Sequence, residues 1–206
     1  MKKYLTLFLL AFMVMMMTAC NTDKNENTEQ ENQQEFAEEV DEDKVDENMV
    51  PVGETAITEG GSFTFHARNS RLKPIETESF YVNIDSVSAI SGELDGGFKE
   101  YLEMDEIQYI QVNIEVENKS TTPLNFDAYQ ASIVTSTGEE IEVPNPMISS
   151  QFDEKFAPEE KKQGTIAYLL EESKAEEVEW VQIIIKAPMD ENNEVVGEEF
   201  NIKIKL

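Results

Sequence analysis

Ile107-Gln-Tyr-Ile-Gln-Val-Asn-Ile-Glu-Val-Glu-Asn-Lys-Ser120 is the longest and cleanest period-two run in the chain. Ile110, Val112, Ile114 and Val116 fall on one side, and Gln111, Asn113, Glu115 and Glu117 on the other. A strand turns successive side chains to opposite faces, so this alternation suits a sheet with one face on a core and one toward water. The stretch is predicted to be a central strand of an antiparallel sandwich.

Shorter segments repeat the theme. Phe63 to Ala67, Phe80 to Ile90, Leu124 to Phe126, Ala131 to Ser136, Glu140 to Val143, Thr165 to Leu170, Val178 to Ala187 and Phe200 to Leu206 read as strands separated by turn residues. The apolar parity of Phe80 to Ile90 changes between Ile84 and Val87, which predicts a bulge or a local bend. Phe98 to Glu106 is expected to form a short helical turn. Gly138 supplies the positive φ that a hairpin between Ala131–Ser136 and Glu140–Val143 favours. Pro144 and Pro146 open a long irregular loop reaching Pro158, and Pro188 to Gly197 is a polar hairpin loop. Seven to nine short strands without a long helix predict an all-β, immunoglobulin-like antiparallel β-sandwich.

The sandwich does not account for the first third of the chain. Lys2 and Lys3 precede an apolar run from Leu5 to Met17, shorter than the ~20 residues that span a bilayer. The run ends in Met17-Thr-Ala-Cys20, and the pattern reads as an export signal. Those four residues resemble the lipobox of bacterial lipoproteins, with Met in place of the usual Leu. That resemblance implies that Cys20 becomes the diacylglyceryl-modified first residue after removal of residues 1–19. Two acyl chains hold a protein on a membrane where one would not. Asn21 follows the Cys, and the polar stretch beyond it resembles Gram-positive surface lipoproteins. The expected location is the outer face of the cytoplasmic membrane. Residues 20–61 are then the lipidated Cys and an acidic linker, with Lys44 the only base between Glu35 and Glu47. So little apolar surface cannot offset ordering entropy, and the linker is expected to be disordered, with an r.m.s. span of ~35 Å. The domain itself is expected over 62–206.

Charge and cysteine content exclude several functions. With 16 Lys and Arg against 43 Asp and Glu, the net charge of −27 excludes nucleic acid as a direct partner, since phosphate binding requires a basic patch. One Cys rules out a disulfide framework or a Cys-rich zinc site. Arg68, Arg71 and Lys73 form a small basic island in this acidic chain.

The order of the long strand, the Asn118-Lys119-Ser120 turn, a short strand, the Gly138 hairpin, Pro158-Glu159-Glu160 and Gly164 before a strand resembles the telokin-like, immunoglobulin-fold domain of Gram-positive surface lipoproteins. The resemblance covers roughly Phe80 to Leu206. Glu159 stands where that family usually has Gly. What it implies is a fold and a surface setting in a family mostly of unknown function, with no catalytic residues to carry over.

His66 is the one imidazole and reads as a solvent-facing strand residue, and carboxylate pairs are inevitable among 43 acids. Hence no catalysis and no cofactor are expected, and a hydrolase is the least favoured reading. For metal, Asp190, Asn192 and Glu194 are the best local oxygen cluster, but they lack the order of an EF-hand loop. No specific metal site is assigned, and territorial divalent-cation binding by the acidic surface underlies an alternative role as a cation-responsive envelope protein. On the Val178 strand Val181, Ile183 and Ile185 share one face, leaving Trp180 and Ile184 on the other. Together with Tyr109 they are the candidate interaction surface. The favoured reading is a lipid-anchored binding module for a protein or cell-wall partner.

Overall fold

The structure, a computed structural model, describes residues 36–39, 49–150 and 153–206, which all fall in one compact unit. Cys20, the signal and most of the linker lie outside the described residues. In chain order the elements are β1 (Thr55–Thr58), β2 (Gly61–Asn69), β3 (Ile75–Glu76), β4 (Phe80–Leu94), α1 (Gly96–Leu102), β5 (Glu106–Asn118), β6 (Leu124–Asn125), β7 (Ser132–Thr135), β8 (Glu140–Ile141), β9 (Lys155–Phe156), β10 (Lys161–Leu169), β11 (Trp180–Ile185) and β12 (Phe200–Lys205). One sheet runs β1-β2-β4-β5-β10 with β3 also on β4, a second runs β12-β11-β7-β8, and β6 pairs with β9. The pairings between these strands are antiparallel.

The all-β sandwich is therefore as expected, with β5 central between β4 and β10. Ile110, Val112, Ile114 and Val116 are buried, and they face Ile133, Val181, Ile183, Ile202 and Ile204 of the second sheet in one core. The opposite side of β5 is only half-buried because polar ladders cross it: Asn113 donates to Ser86 Oγ (2.9 Å), Thr165 donates to Asn113 Oδ1 (2.8 Å), and Lys161 pairs with Glu115 (2.9 Å). The register of β4 on β5 shifts between Ile84 and Ser86, where the parity change predicts a bulge or a local bend. Phe80, Phe126, Phe156 and Phe200 close one end of the core, with ring centroids 4.6, 5.5 and 5.2 Å apart along the chain of contacts.

The strand count is a correction: seven to nine were expected and twelve are found among the described residues. The additional ones are β1, β3 and β9. β3 and β9 have two residues each, too few to show any period. β1 buries none of its side chains, and Ile57 is 87% exposed. Backbone pairing with β2 and the Thr55–Thr64 hydroxyl contact (2.8 Å) hold it. The first of the strands thus begins at Thr55.

The irregular loop after Pro144 serves the sheet edge. Asn145 N donates to Ala167 O and Ser150 N to Thr165 O, both at 2.8 Å, so the loop covers the outer edge of β10. Covering an edge removes the unpaired backbone groups that template aggregation.

Candidate functional site

β11 builds the outer surface of the second sheet. Val181, Ile183 and Ile185 are buried, so the alternation turns Trp180, Gln182 and Ile184 outward, where each is half-buried. Register places Lys205, Lys203 and Asn201 of β12 opposite these three, and Val134 and Ser132 of β7 opposite Gln182 and Ile184. Gln182 Nε2 donates to Asn201 Oδ1 at 2.8 Å. The Lys203 ammonium sits 3.9 Å from the centroid of Trp180 and 5.0 Å from that of Phe36. A cation between two aromatic faces fixes both rings, each contact contributing about 0.5–1 kcal/mol at exposed positions. The result is an ordered row of aromatic, amide and aliphatic groups on the outer side of the sheet.

Tyr109 does not join this row. It lies on the first sheet, opposite Ile90 and Leu169, on the side of β5 turned away from the core, and burial pushes its phenol up to about 12. Tyr109 and Trp180 therefore belong to opposite outer faces of the sandwich. Trp180 and Ile184 share one surface; Tyr109 has another.

Asp190, Asn192 and Glu194 are adjacent, as their spacing requires, in the hairpin between β11 and β12. Asp190 Oδ1 accepts from the backbone N–H groups of Asn192 and Glu194, both at 2.8 Å, and Oδ2 accepts from Asn192 Nδ2 at 3.2 Å. These bonds, the Glu194 interaction foremost, hold the Asp190 carboxyl below its usual range. Its oxygens are thus engaged in shaping their own turn. Among the described residues no group of three or more His, Cys, Asp and Glu is placed to hold a metal ion.

His66 occupies the irregularity of β2 between Phe65 and Ala67, and its Nε2 lies 2.7 Å from Ser91 Oγ. Ser91 lines a polar cavity of about 350 Å³ with Thr55, Ser62, Thr64, Glu93 and Gln108. Among the described residues Ser91 is the one hydrogen-bond partner of His66, so the pair lacks the carboxylate that orients a catalytic imidazole. A second cavity, about 660 Å³, lies beside β8 and is lined by Glu139, Glu140, Glu142, Glu171 and Glu172. Glu139 there caps a loop: its oxygens accept from the backbone N–H of Glu171 (2.7 Å), Glu172 (3.2 Å) and Ser173 (3.0 Å).

The basic island is engaged by other parts of the chain. Arg68 donates to Val50 O (2.7 Å) and Ser88 Oγ (2.9 Å), whereas Arg71 and Lys73 pair with Glu39 (3.5 Å) and Glu38 (2.6 Å) of the acidic linker. An isolated basic cluster beside a long acidic segment was the legible signal. What sequence could not supply was which acids would meet it.

A family model described as a domain of unknown function, DUF4352, matches residues 73–193. An uncharacterized SPbeta prophage-derived lipoprotein of Bacillus subtilis, YonS, is 24% identical over 157 residues, which is 75% of this chain and 71% of that protein. The crystal structure of a functionally unknown protein from Listeria monocytogenes is similar in fold, with a TM-score of 0.53 and 15% identity over 71% of this chain and 88% of that one.

Proposed function

The chain belongs to the DUF4352 family, a domain of unknown function, and from that membership we propose that it is a lipid-anchored interaction module of the bacterial cell envelope. In this reading residues 1–19 direct export, Cys20 carries the lipid on the outer face of the cytoplasmic membrane, and the acidic linker presents a telokin-like, immunoglobulin-fold domain to a protein or wall partner. The likeness to a Bacillus subtilis lipoprotein supports the anchor, as does the Met17-Thr-Ala-Cys20 sequence. No chemistry is assigned to the domain.

The observation that carries the binding role is the half-buried row Trp180, Gln182 and Ile184, backed by a sheet whose other face is core. A Trp on the outer side of a sheet is of the residue type enriched in binding hot spots. The test is photo-cross-linking in intact cells from a probe at position 184 and, as a control, at position 57 on β1. A species formed only from position 184 and lost in Trp180→Ala is expected. Equal yields from both positions, or none from position 184, would overturn the binding role. Mass spectrometry of the mature N-terminus reads the anchor independently, as a diacylglyceryl mass on Cys20.

A further inference from the structure

β12 ends the second sheet, and its outer edge is occupied by the chain's own linker. Phe36 forms a parallel bridge with Lys203, and Ala37 N donates to Lys203 O at 2.6 Å. Two residues on, Glu39 forms an antiparallel bridge with Leu72, and Lys73 N donates to Glu38 O at 2.9 Å. Four residues thus stitch the edge of one sheet to the segment that leads into β3 of the other.

Each side chain of the segment has its own receptor. Phe36 lies over Lys203. Ala37 packs against the core. Glu38 pairs with Lys73, and Glu39 with Arg71 and with Asn69 Nδ2 at 2.9 Å. Asn69 is itself buried and also donates to Lys205 O at 2.8 Å, so it ties the segment to both β2 and β12. Lys73, Asn201 and Lys203 together with Ala37 and Glu38 line a cavity of about 340 Å³ alongside. Three cations, Arg71, Lys73 and Lys203, and the buried amide of Asn69 gathered beside one strand edge are unexpected in a chain of net charge −27. They complement an acidic strand by both backbone pairing and charge.

We propose that the groove between β12 and residues 71–73 is a strand-acceptor site for extended peptides of the pattern aromatic-x-acid-acid, held closed by the chain's own Phe36–Glu39. The ion pairs are exposed and individually weak. The segment is therefore a displaceable occupant: a partner strand of the same pattern takes its place. Lys203 touches both this site and the Trp180 row, but variants at Ala37 and Lys73 lie outside that row, so failure of this proposal and failure of the binding role of the row are distinguishable.

The test uses the soluble full-length mature chain with Cys20→Ser and a fluorescent peptide spanning residues 34–41. Ala37→Pro removes the N–H that pairs with Lys203 O and empties the groove. The Ala37→Pro chain is expected to bind the peptide at least about tenfold more tightly than the unaltered chain, where the tethered segment competes at high effective concentration. Adding Lys73→Glu abolishes that binding. Equal binding to both chains, or binding to neither, overturns the proposal. Hydrogen exchange on the unaltered chain gives a reading free of mutation: the amides of Ala37 and Lys73 are expected to be protected, and exchange at the unstructured rate overturns it. A dimer that Ala37→Pro dissociates would show the segment exchanged between copies and overturn closure within one chain.

Discussion

Asn118 Nδ2 donates to the carbonyl of Ala157 at 3.1 Å from a side chain with no solvent exposure. The same amide donates to Thr122 O (2.9 Å) and Phe156 O (3.4 Å), and Asn118 Oδ1 accepts from Ser120 N (2.9 Å). One side chain at the end of β5 thereby holds both its own turn and the β9 segment. Asn118→Ala removes all four of these bonds at once, the one to Phe156 O in a buried setting, and a loss of about 2–3 kcal/mol is expected. Urea denaturation monitored by Trp180 measures it; a loss below ~0.5 kcal/mol is the contrary result.

The turn that Asn118 supports holds a strained residue. Pro158 sets the first corner, Glu160 N donates to Ala157 O at 3.1 Å, and Glu159 adopts φ 60°, the left-handed position a type II turn assigns to Gly. Glu159→Gly relieves the Cβ conflict while adding unfolded-state entropy, for a net gain of about 0.5–1 kcal/mol. The midpoint of thermal unfolding should rise.

Gly61 is intolerant for two reasons at once. Its φ is 136°, and a Cβ there would lie 2.1 Å from Glu93 O across the β2–β4 pair. Gly61→Ala is expected to cost more than ~3 kcal/mol and to lower expression. Gly138, with φ 89° but open space around it, should tolerate Asn. Parallel melts of the two variants separate steric from conformational cost.

Glu139 gives the fold a pH dependence. Burial pushes its carboxyl up, but hydrogen bonds from Ser173 and from the backbone N–H groups of Glu171, Glu172 and Ser173 outweigh this and hold it below the usual range. A depressed folded pKa contributes stability above the unfolded value, and that contribution disappears as pH falls through the folded value. Glu139→Gln is therefore expected to be less stable than the parent at pH 7, with the gap closing below about pH 4. A constant gap from pH 7 to pH 3 is the contrary result.

The single Trp reports on its own surroundings. Lys203→Ala removes the cation lying 3.9 Å over the ring, and acrylamide quenching of Trp180 should increase while the far-ultraviolet circular dichroism is unchanged. Unchanged quenching would show that Lys203 does not cover the ring in solution.

Sequence alone determined the all-β class, the central position of β5, the bulge in β4 and the inward set Val181, Ile183 and Ile185. Each depends on the alternation of side chains along a strand, a local property that the order of residues carries directly. The Gly138 hairpin was legible for the same reason, since a positive φ is a demand on one residue. Tertiary structure alone decided which strands neighbour one another, and with that the separation of Tyr109 from Trp180. Parity names a face within a strand but not which sheet the strand joins. It also decided β1, β3 and β9: β3 and β9 are too short to show a period, β9 pairs with a segment far off in the chain, and β1 buries no side chain that would mark it. Above all it placed Phe36–Glu39 on β12, a pairing of backbone groups 167 residues apart between Phe36 and Lys203 that composition reads as an unstructured acidic run. Composition averages over a segment, whereas a strand edge with three cations and a buried Asn69 selects four particular residues from it.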